Sequence, residues 1–91
     1  MEHYFTKKAE KEYLIWSKSD KRVFRTINKL IEDIEQNGML CCKGKPEQLK
    51  HFDLPTYSRR IGRNDRLVYR KYNEDDLLIM SCKGHYIGIS P

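Results

Sequence analysis

The sequence predicts a small α+β domain in which an N-terminal strand and two helices pack on an antiparallel sheet. Two observations lead to this prediction. Apolar residues recur at helical spacing before Gly38, whereas β-branched and aromatic residues alternate with polar ones after it. A chain of 91 residues has room for one domain of this kind, so we assign residues 1–91 to a single domain.

A strand and a first helix are predicted at the N-terminus. The strand covers residues 3–5, and the helix runs from residue 7 to about residue 17, with Thr6 as its N-cap. Threonine suits this position because its hydroxyl accepts a hydrogen bond from a backbone N–H of the first turn. The side chains that this helix is expected to bury are Ala9, Tyr13, Leu14 and Trp16.

The second helix has the most regular pattern in the chain. Ser19 or Asp20 is placed to cap its start, and Asn37-Gly38 is placed to end it. Its apolar residues recur at steps of one, three and four, as on one face of an amphipathic helix: Val23, Phe24, Ile27, Leu30, Ile31 and Ile34.

Three strands are predicted after the helices, at residues 57–61, 67–72 and 77–82. Their connections, residues 62–65 and 73–76, are short and polar, which favours an antiparallel meander. The segment 39–56 contains Gly44, Pro46 and Pro55 and is predicted to be a loop with one short strand near residues 49–52. Loops carried by a rigid sheet are frequent locations of functional residues.

Composition argues against a membrane-spanning or secreted protein. Charged residues make up 34% of the chain, its mean hydropathy is −0.81, and no apolar run approaches the ~20 residues that span a bilayer. The first residues lack the apolar stretch of a secretory signal. We therefore expect a cytoplasmic protein without membrane contact.

The cysteines and histidines show neither a disulfide framework nor a metal site. Cys41 and Cys42 are adjacent and Cys82 is left over, so we expect reduced thiols. The three histidines stand far apart, without the spacing of metal ligands. No metal and no cofactor is expected.

The whole chain has a formal net charge of +5, and its basic residues are concentrated in the later half. Residues 59–71 hold six basic residues and one acidic residue, Asp65, and residues 43–50 add three lysines. Interleaved with Tyr57, Tyr69 and Tyr72, the arginines predict a surface that binds a polyanion, above all RNA, by phosphate contacts and base stacking. The alternative is a solvated sheet face whose charges serve solubility alone.

Three residues in this half have the side chains that metal-free RNA cleavage needs. Such a reaction uses a base for the 2′-hydroxyl proton, a cation for the charged phosphorane and an acid for the departing 5′-oxygen. Glu47, Arg66 and His85 can supply these groups, although the glutamate and the histidine can also exchange roles. Taken singly, each residue has an ordinary interpretation as a surface side chain, and no spacing rule connects them.

Several motifs, in order, resemble the YoeB (Txe) branch of the RelE/ParE toxin superfamily. The resemblance covers nearly the whole chain, including both predicted helices. In the later half it rests on Gly44-Lys45-Pro46-Glu47, Leu49-Lys50-His51, Tyr57-Ser58-Arg59-Arg60-Ile61, Arg66-Leu67-Val68-Tyr69 and Cys82 with His85-Tyr86.

The resemblance implies the toxin of a type II toxin–antitoxin pair with a RelE-like fold. It implies an endoribonuclease that cleaves mRNA in the A site of the 70S ribosome without a metal and leaves a 2′,3′-cyclic phosphate. By motif, Glu47 is the expected general base, Arg66 the phosphate ligand and His85 the general acid. The residues expected to hold the RNA are Lys50, Arg60 and Tyr86. The implied partners are an acidic YefM-like antitoxin and a second copy of the chain in a homodimer.

Two departures from the family pattern limit this transfer. The chain continues past His85-Tyr86 with residues 87–91, a C-terminal extension in a branch whose members often stop there. The loop 62–65 lacks the Glu and His that relatives often carry before the arginine. Two other functions stay open: an RNA-binding translation inhibitor that does not cleave, and a degenerate toxin kept as an interaction partner.

Overall fold

The computed structural model describes residues 1–84 and confirms the predicted α+β class. The elements follow in the order β1 (His3–Phe5), α1 (Lys7–Ser19), α2 (Lys21–Asn37), β2 (Glu47–Gln48), β3 (Tyr57–Arg60), β4 (Arg66–Lys71) and β5 (Leu77–Ser81). The five strands form one sheet in the order β1-β5-β4-β3-β2. Strand β1 pairs with β5 in parallel, and the other pairs are antiparallel, as the predicted meander requires.

The predicted N-caps and the end of α2 are confirmed, whereas α1 continues to Ser19, two residues beyond its predicted end. Thr6 Oγ1 accepts a hydrogen bond from the backbone N–H of Ala9 (3.1 Å) at the start of α1. Asp20 accepts from the first-turn backbone N–H groups of α2, at 3.0 and 3.2 Å. The helix ends at Gly38, whose φ of 98° lies in the region that favours glycine. These caps explain why a short chain forms two consecutive helices without a longer connection.

The core lies between α1, α2 and one face of the sheet. It contains Ala9 of α1, four residues of the α2 stripe, and residues from β4 and β5. Leu14 was expected to be buried, but its side chain is 52% exposed. The prediction was wrong because Ala9, Tyr13 and Trp16 already form the packed face of α1, and Leu14 lies about 100° around the helix from Tyr13.

The short strand before β3 lies earlier in the chain than predicted. We expected it near residues 49–52, whereas β2 is Glu47–Gln48, paired with Ser58 and Tyr57. The chain leaves the sheet soon afterwards because His51 has φ = 69°, which a β-strand cannot contain.

The expectation of three free thiols is wrong for two of the cysteines. Cys41 and Cys42 are joined by a disulfide, and Cys82 is buried and free. The prediction failed because it considered only disulfides that join distant segments of the chain. The Cys41–Cys42 disulfide joins two adjacent residues. Burial raises the pKa of the Cys82 thiol to about 12, so this sulfur stays protonated at neutral pH.

Within residues 1–84, no helix has the length and apolarity needed to cross a membrane.

Candidate active site

The open face of the sheet, which is turned away from α1 and α2, carries the candidate active site. Tyr69 and Ile79 pair across β4 and β5 and both lie in the core. Because successive side chains of a strand lie on opposite faces of a sheet, the residues next to Tyr69 and Ile79 in their strands lie on the open face. The registers of β2, β3 and β4 place Glu47, Arg60 and Arg66 together on this open face.

The strand registers also set the spacing between Glu47 and Arg66. Glu47 lies on β2, two strands away from Arg66 on β4, and the two positions are offset by two residues along β3. With strands about 4.8 Å apart and a rise of about 3.4 Å per residue, the two Cα atoms are roughly 12 Å apart. Glutamate and arginine side chains are both long enough to reach one nucleotide bound between these two positions.

A tight loop before β2 positions Glu47. The backbone N–H of Arg60 donates to the carbonyl oxygen of Gly44 (2.7 Å), which ties the loop to β3. Gly44 has φ = 79°, and a Cβ there would lie 2.9 Å from Leu30 Cδ2 and 3.2 Å from the carbonyl oxygen of Arg60. Glycine alone combines this conformation with so close an approach. The Gly-Lys-Pro-Glu motif therefore places Glu47 at the end of a tight loop that is bound to β3.

The guanidinium of Arg66 is braced by the loop that precedes β4. Its Nη1 donates to the carbonyl oxygens of Asp65 (2.9 Å), Gly62 (3.3 Å) and Arg63 (3.5 Å). Among residues 1–84, every hydrogen bond of this guanidinium is made by Nη1. The bracing orders the cation without neutralising it, because a carbonyl oxygen carries no formal charge.

The last described residue, Gly84, is bound to the start of β4. The backbone N–H of Gly84 donates to Asp65 Oδ1 (2.7 Å), and its carbonyl oxygen accepts from the backbone N–H of Arg66 (2.9 Å). The predicted acid His85 follows directly in the sequence. His85, Tyr86 and the extension 87–91 lie outside the described residues, so their predicted roles stay predictions.

The two predicted RNA-binding residues that the structure describes are both exposed. Arg60 lies on the open face beside Arg66, its partner in the β3–β4 register. Lys50 follows β2 in the loop that closes with a hydrogen bond from the backbone N–H of Leu49 to the carbonyl oxygen of Thr56 (2.8 Å). The structure thus brings Glu47, Arg60 and Arg66 to one face and leaves Lys50 near its edge at β2.

Arg59 was counted among the phosphate-binding arginines, and this was wrong. Its side chain is fully buried on the helical side of the sheet, where it forms an ion pair with Asp33 of α2. It also donates to the carbonyl oxygens of Lys43 (3.0 Å) and Gly38 (2.8 Å). The Arg59 guanidinium holds the pKa of the Asp33 carboxyl below its usual value. Arg59 therefore holds the segment between α2 and β2 in place, and its buried guanidinium is not available to bind RNA.

Two of the three tyrosines expected to stack on bases are buried or half-buried within the protein. Tyr69 is buried, stacks on half-buried Tyr57 with ring centroids 5.8 Å apart, and donates its hydroxyl to the carbonyl oxygen of Met39 (2.6 Å). Burial raises the pKa of Tyr69, so the hydroxyl keeps the proton that it donates. Tyr72 alone of the three is strongly exposed, at 59%, although one side of its ring contacts Tyr4 with centroids 5.0 Å apart.

Sequence reasoning missed the contributions of Asp65, Arg59 and Gly44 to this site. Asp65 was noted only as a lone acid in a basic stretch, although that isolation was the signal that could have found it. The motif that contains Gly44 and Pro46 predicted a turn, but it did not predict that the backbone at Gly44 would lie so close to the backbone of Arg60.

Comparison with known proteins identifies the family. Residues 5–86 match the family model of the YoeB-like toxin of bacterial type II toxin–antitoxin systems. Toxin YoeB of Escherichia coli (strain K12) is 45% identical over 75 residues, which cover 82% of this chain and 87% of the relative.

Solved structures agree in fold. The structure of the YoeB dimer from Staphylococcus aureus superposes with a TM-score of 0.86 at 39% identity, over 94% of this chain and 98% of that chain. A heterotetrameric YoeB–YefM toxin–antitoxin complex from the same organism has a TM-score of 0.86 at 38% identity and the same coverage.

The motifs that place Glu47 and Arg66 on the open face thus belong to a chain that matches this family over most of its length, in sequence and in fold. The protein is a member of the YoeB-like toxins of bacterial type II toxin–antitoxin systems, within the RelE/ParE superfamily.

Proposed function

We propose that this toxin is an endoribonuclease that cleaves mRNA in the ribosomal A site and so inhibits translation. The observation that carries the proposal is the shared open face of Glu47, Arg60 and Arg66, with the residue before His85 bound to the start of β4. An exposed carboxylate and an ordered cation at this spacing suit a reaction at one phosphodiester.

In the proposed reaction the Glu47 carboxylate removes the proton of the 2′-hydroxyl, and the 2′-oxygen attacks the adjacent phosphorus. The Arg66 guanidinium stabilises the charge that develops on the phosphorane oxygens. His85, as imidazolium, gives its proton to the 5′-oxygen as the P–O5′ bond breaks. The products are a 2′,3′-cyclic phosphate and a 5′-hydroxyl end, and every step uses side chains alone, without a metal or cofactor.

The remaining site residues hold the substrate. Arg60 and Lys50 bind backbone phosphates on either side of the scissile bond, since both are exposed cations beside the open face. Tyr86 orients the nucleotide or the neighbouring histidine. The roles of Glu47 and His85 can be exchanged, and a substrate with a 5′-sulfur leaving group, which needs no general acid, separates the two assignments because it should rescue only the variant that lacks the acid.

The proposed partners are an acidic antitoxin and a second copy of the toxin. The relatives from Staphylococcus aureus form a YoeB dimer and a YoeB–YefM heterotetramer. A basic open face attracts an acidic segment, which would cover the cations that otherwise bind RNA. Binding of a YefM-like antitoxin is therefore expected to neutralise the toxin.

The proposal is tested by mapping mRNA 5′ ends in a translating extract. The wild-type chain is expected to produce cuts within the A-site codon. Arg66→Gln is expected to lower the cleavage rate by about 10²–10³-fold, since it removes one preorganised donor to the developing charge. Glu47→Gln and His85→Gln are each expected to lower it by about 10²–10⁴-fold.

Arg22→Gln is the matched control, because it removes an exposed positive charge from α2, on the other side of the molecule. It should cleave as the wild type does. Uncut mRNA on stalled ribosomes would contradict the proposal and favour a binder that inhibits by occupancy. That second candidate is supported by the exposed cations alone and needs no reactive carboxylate.

A further inference from the structure

Asp65 connects three parts of the candidate active site. Its backbone carbonyl oxygen accepts hydrogen bonds from the backbone N–H of Ile61 (3.0 Å) and from Arg66 Nη1 (2.9 Å). Its carboxylate accepts from the backbone N–H of Gly84 (2.7 Å), which lies 19 residues later in the chain. The main chain of Asp65 thus braces the guanidinium of Arg66, and its side chain binds Gly84, the residue before the proposed acid.

The attachment of Gly84 is a two-point clamp. Asp65 binds the N–H of Gly84, and the backbone N–H of Arg66 binds its carbonyl oxygen. Because a peptide unit is planar, the first bond orients the peptide before Gly84 and the second orients the peptide that leads to His85. Gly84 has φ = 76°, a conformation that glycine adopts without steric cost and that permits both bonds at once.

The two halves of the clamp differ chemically. The bond to the carbonyl oxygen of Gly84 is an ordinary backbone bond and does not depend on any side chain. The bond to its N–H needs an acceptor on residue 65, and a carboxylate makes the stronger, charge-assisted form. One of the two bonds that hold Gly84 at the start of β4 therefore depends on a single side chain.

We propose that Asp65 is a positioning residue for RNA cleavage, which acts on the proposed acid through its hydrogen bond with Gly84, the residue before it. The inference rests on the proposed function, and it adds a residue outside the set Glu47, Arg66 and His85. Asp65 acts on the acid through the backbone and does not touch the reacting atoms. Misplacement of a reacting group by about 1 Å can cost about 10²-fold in rate, so a single acceptor at this position is enough to matter.

A set of variants at position 65 isolates the acceptor. Asp65→Ala removes the side-chain bond but leaves the bonds that the carbonyl oxygen of residue 65 accepts from the Ile61 N–H and from Arg66 Nη1. Asp65→Asn keeps an acceptor oxygen and removes the charge. Asp75→Ala is the matched control, because it removes an exposed carboxylate from the other hairpin loop. Asp65→Glu, which keeps the charge and moves the acceptor, replaces Asp65→Ala if that variant does not fold.

Two measurements are made on each full-length variant: amide hydrogen exchange at Gly84 by NMR, and single-turnover mRNA cleavage on programmed ribosomes. For Asp65→Ala we expect exchange at Gly84 to quicken by about tenfold or more. We expect its cleavage rate at saturation to fall by on the order of 10²-fold, with little change in KM. Asp65→Asn should restore both values to within a few-fold of wild type, and Asp75→Ala should change neither.

Several results would overturn the inference. One is wild-type cleavage by Asp65→Ala, and another is an equal loss in Asp65→Asn, which would assign the effect to charge. A loss confined to KM would assign Asp65 to RNA binding instead. A wild-type chain that makes no cut is a different result, since it overturns the proposed function itself, and this inference with it.

Discussion

Arg59 and Arg60 are neighbours in the sequence and have opposite roles in the protein. Arg59 is fully buried on the helical side of β3, where Asp33 and the carbonyl oxygens of two loop residues surround its guanidinium. Arg60 is exposed on the open face, opposite Arg66 in the register. The difference arises because successive side chains of a strand lie on opposite faces of a sheet.

This comparison shows why a count of basic residues overstates a phosphate-binding surface. One arginine of the stretch 59–71 is neutralised in the interior, where it ties α2 and the loop before β2 to the sheet. The open-face arginines keep their charge for a ligand. The same division separates Tyr69 from Tyr72, so the inner residues stabilise the fold and the outer residues are available for binding.

The largest effect is expected from replacing the two arginines one at a time by methionine. Arg59→Met leaves Asp33 buried without its partner and should lower the free energy of unfolding by about 3–5 kcal/mol. Arg60→Met should change it by less than about 0.5 kcal/mol, as exposed substitutions usually do. Urea denaturation followed by circular dichroism measures both values, and equal losses would refute the division into inner and outer residues.

A smaller effect is expected from removing the tyrosine hydroxyls. Tyr69→Phe loses a hydrogen bond from Arg59 Nε (2.9 Å) and one to the carbonyl oxygen of Met39 (2.6 Å). Each loss should cost about 0.5–1.5 kcal/mol of unfolding free energy. Tyr72→Phe serves as the control and should leave the unfolding midpoint unchanged. A midpoint shift for Tyr72→Phe as large as that for Tyr69→Phe would contradict the assignment.

The loop before β2 tests how the interior positions the open face. Gly44→Ala forces a non-glycine residue to adopt φ = 79° and should cost about 1–2 kcal/mol in stability. It should also slow RNA cleavage, because Glu47 follows three residues later. Gly62→Ala is the control for the change in stability, since a Cβ there meets nothing within 4 Å. Thermal unfolding measures the change in stability. Full cleavage activity of Gly44→Ala would show that the loop does not position Glu47 for the reaction.

The smallest effect near neutral pH is expected from the titration of Asp33. Because Arg59 lowers its pKa in the folded protein, the carboxyl takes up a proton more readily in the unfolded chain. Its contribution to stability is therefore fully present above the ordinary aspartate pKa of about 3.9 and is lost as pH falls below that value. Urea midpoints measured from pH 7 to pH 2.5 should show this loss in the wild type. The difference between wild type and Asp33→Asn should shrink as pH falls through the acid range, and a constant difference would contradict the linkage.

Local rules were sufficient for much of this protein. Thr6, Asp20 and Gly38 predicted the helix ends because capping depends on residues within one turn. The alternation of apolar and polar residues after Gly38 predicted the meander, because it too depends only on residues that are close in the sequence. The motifs around Glu47 and Arg66 predicted the family. The position of β2 was missed because the backbone reversal at His51 has no strong residue signature.

The sequence by itself therefore determined the fold class, the helix caps and the family, together with the residues that the family motifs mark. The tertiary structure alone decided that Arg59 is buried beside Asp33, that Leu14 is exposed, and that Asp65 holds Gly84. Each of these depends on contacts between distant parts of the chain. A charged or polar side chain takes the partner that the packed sheet and helices bring to it, and no local pattern records which partner that is.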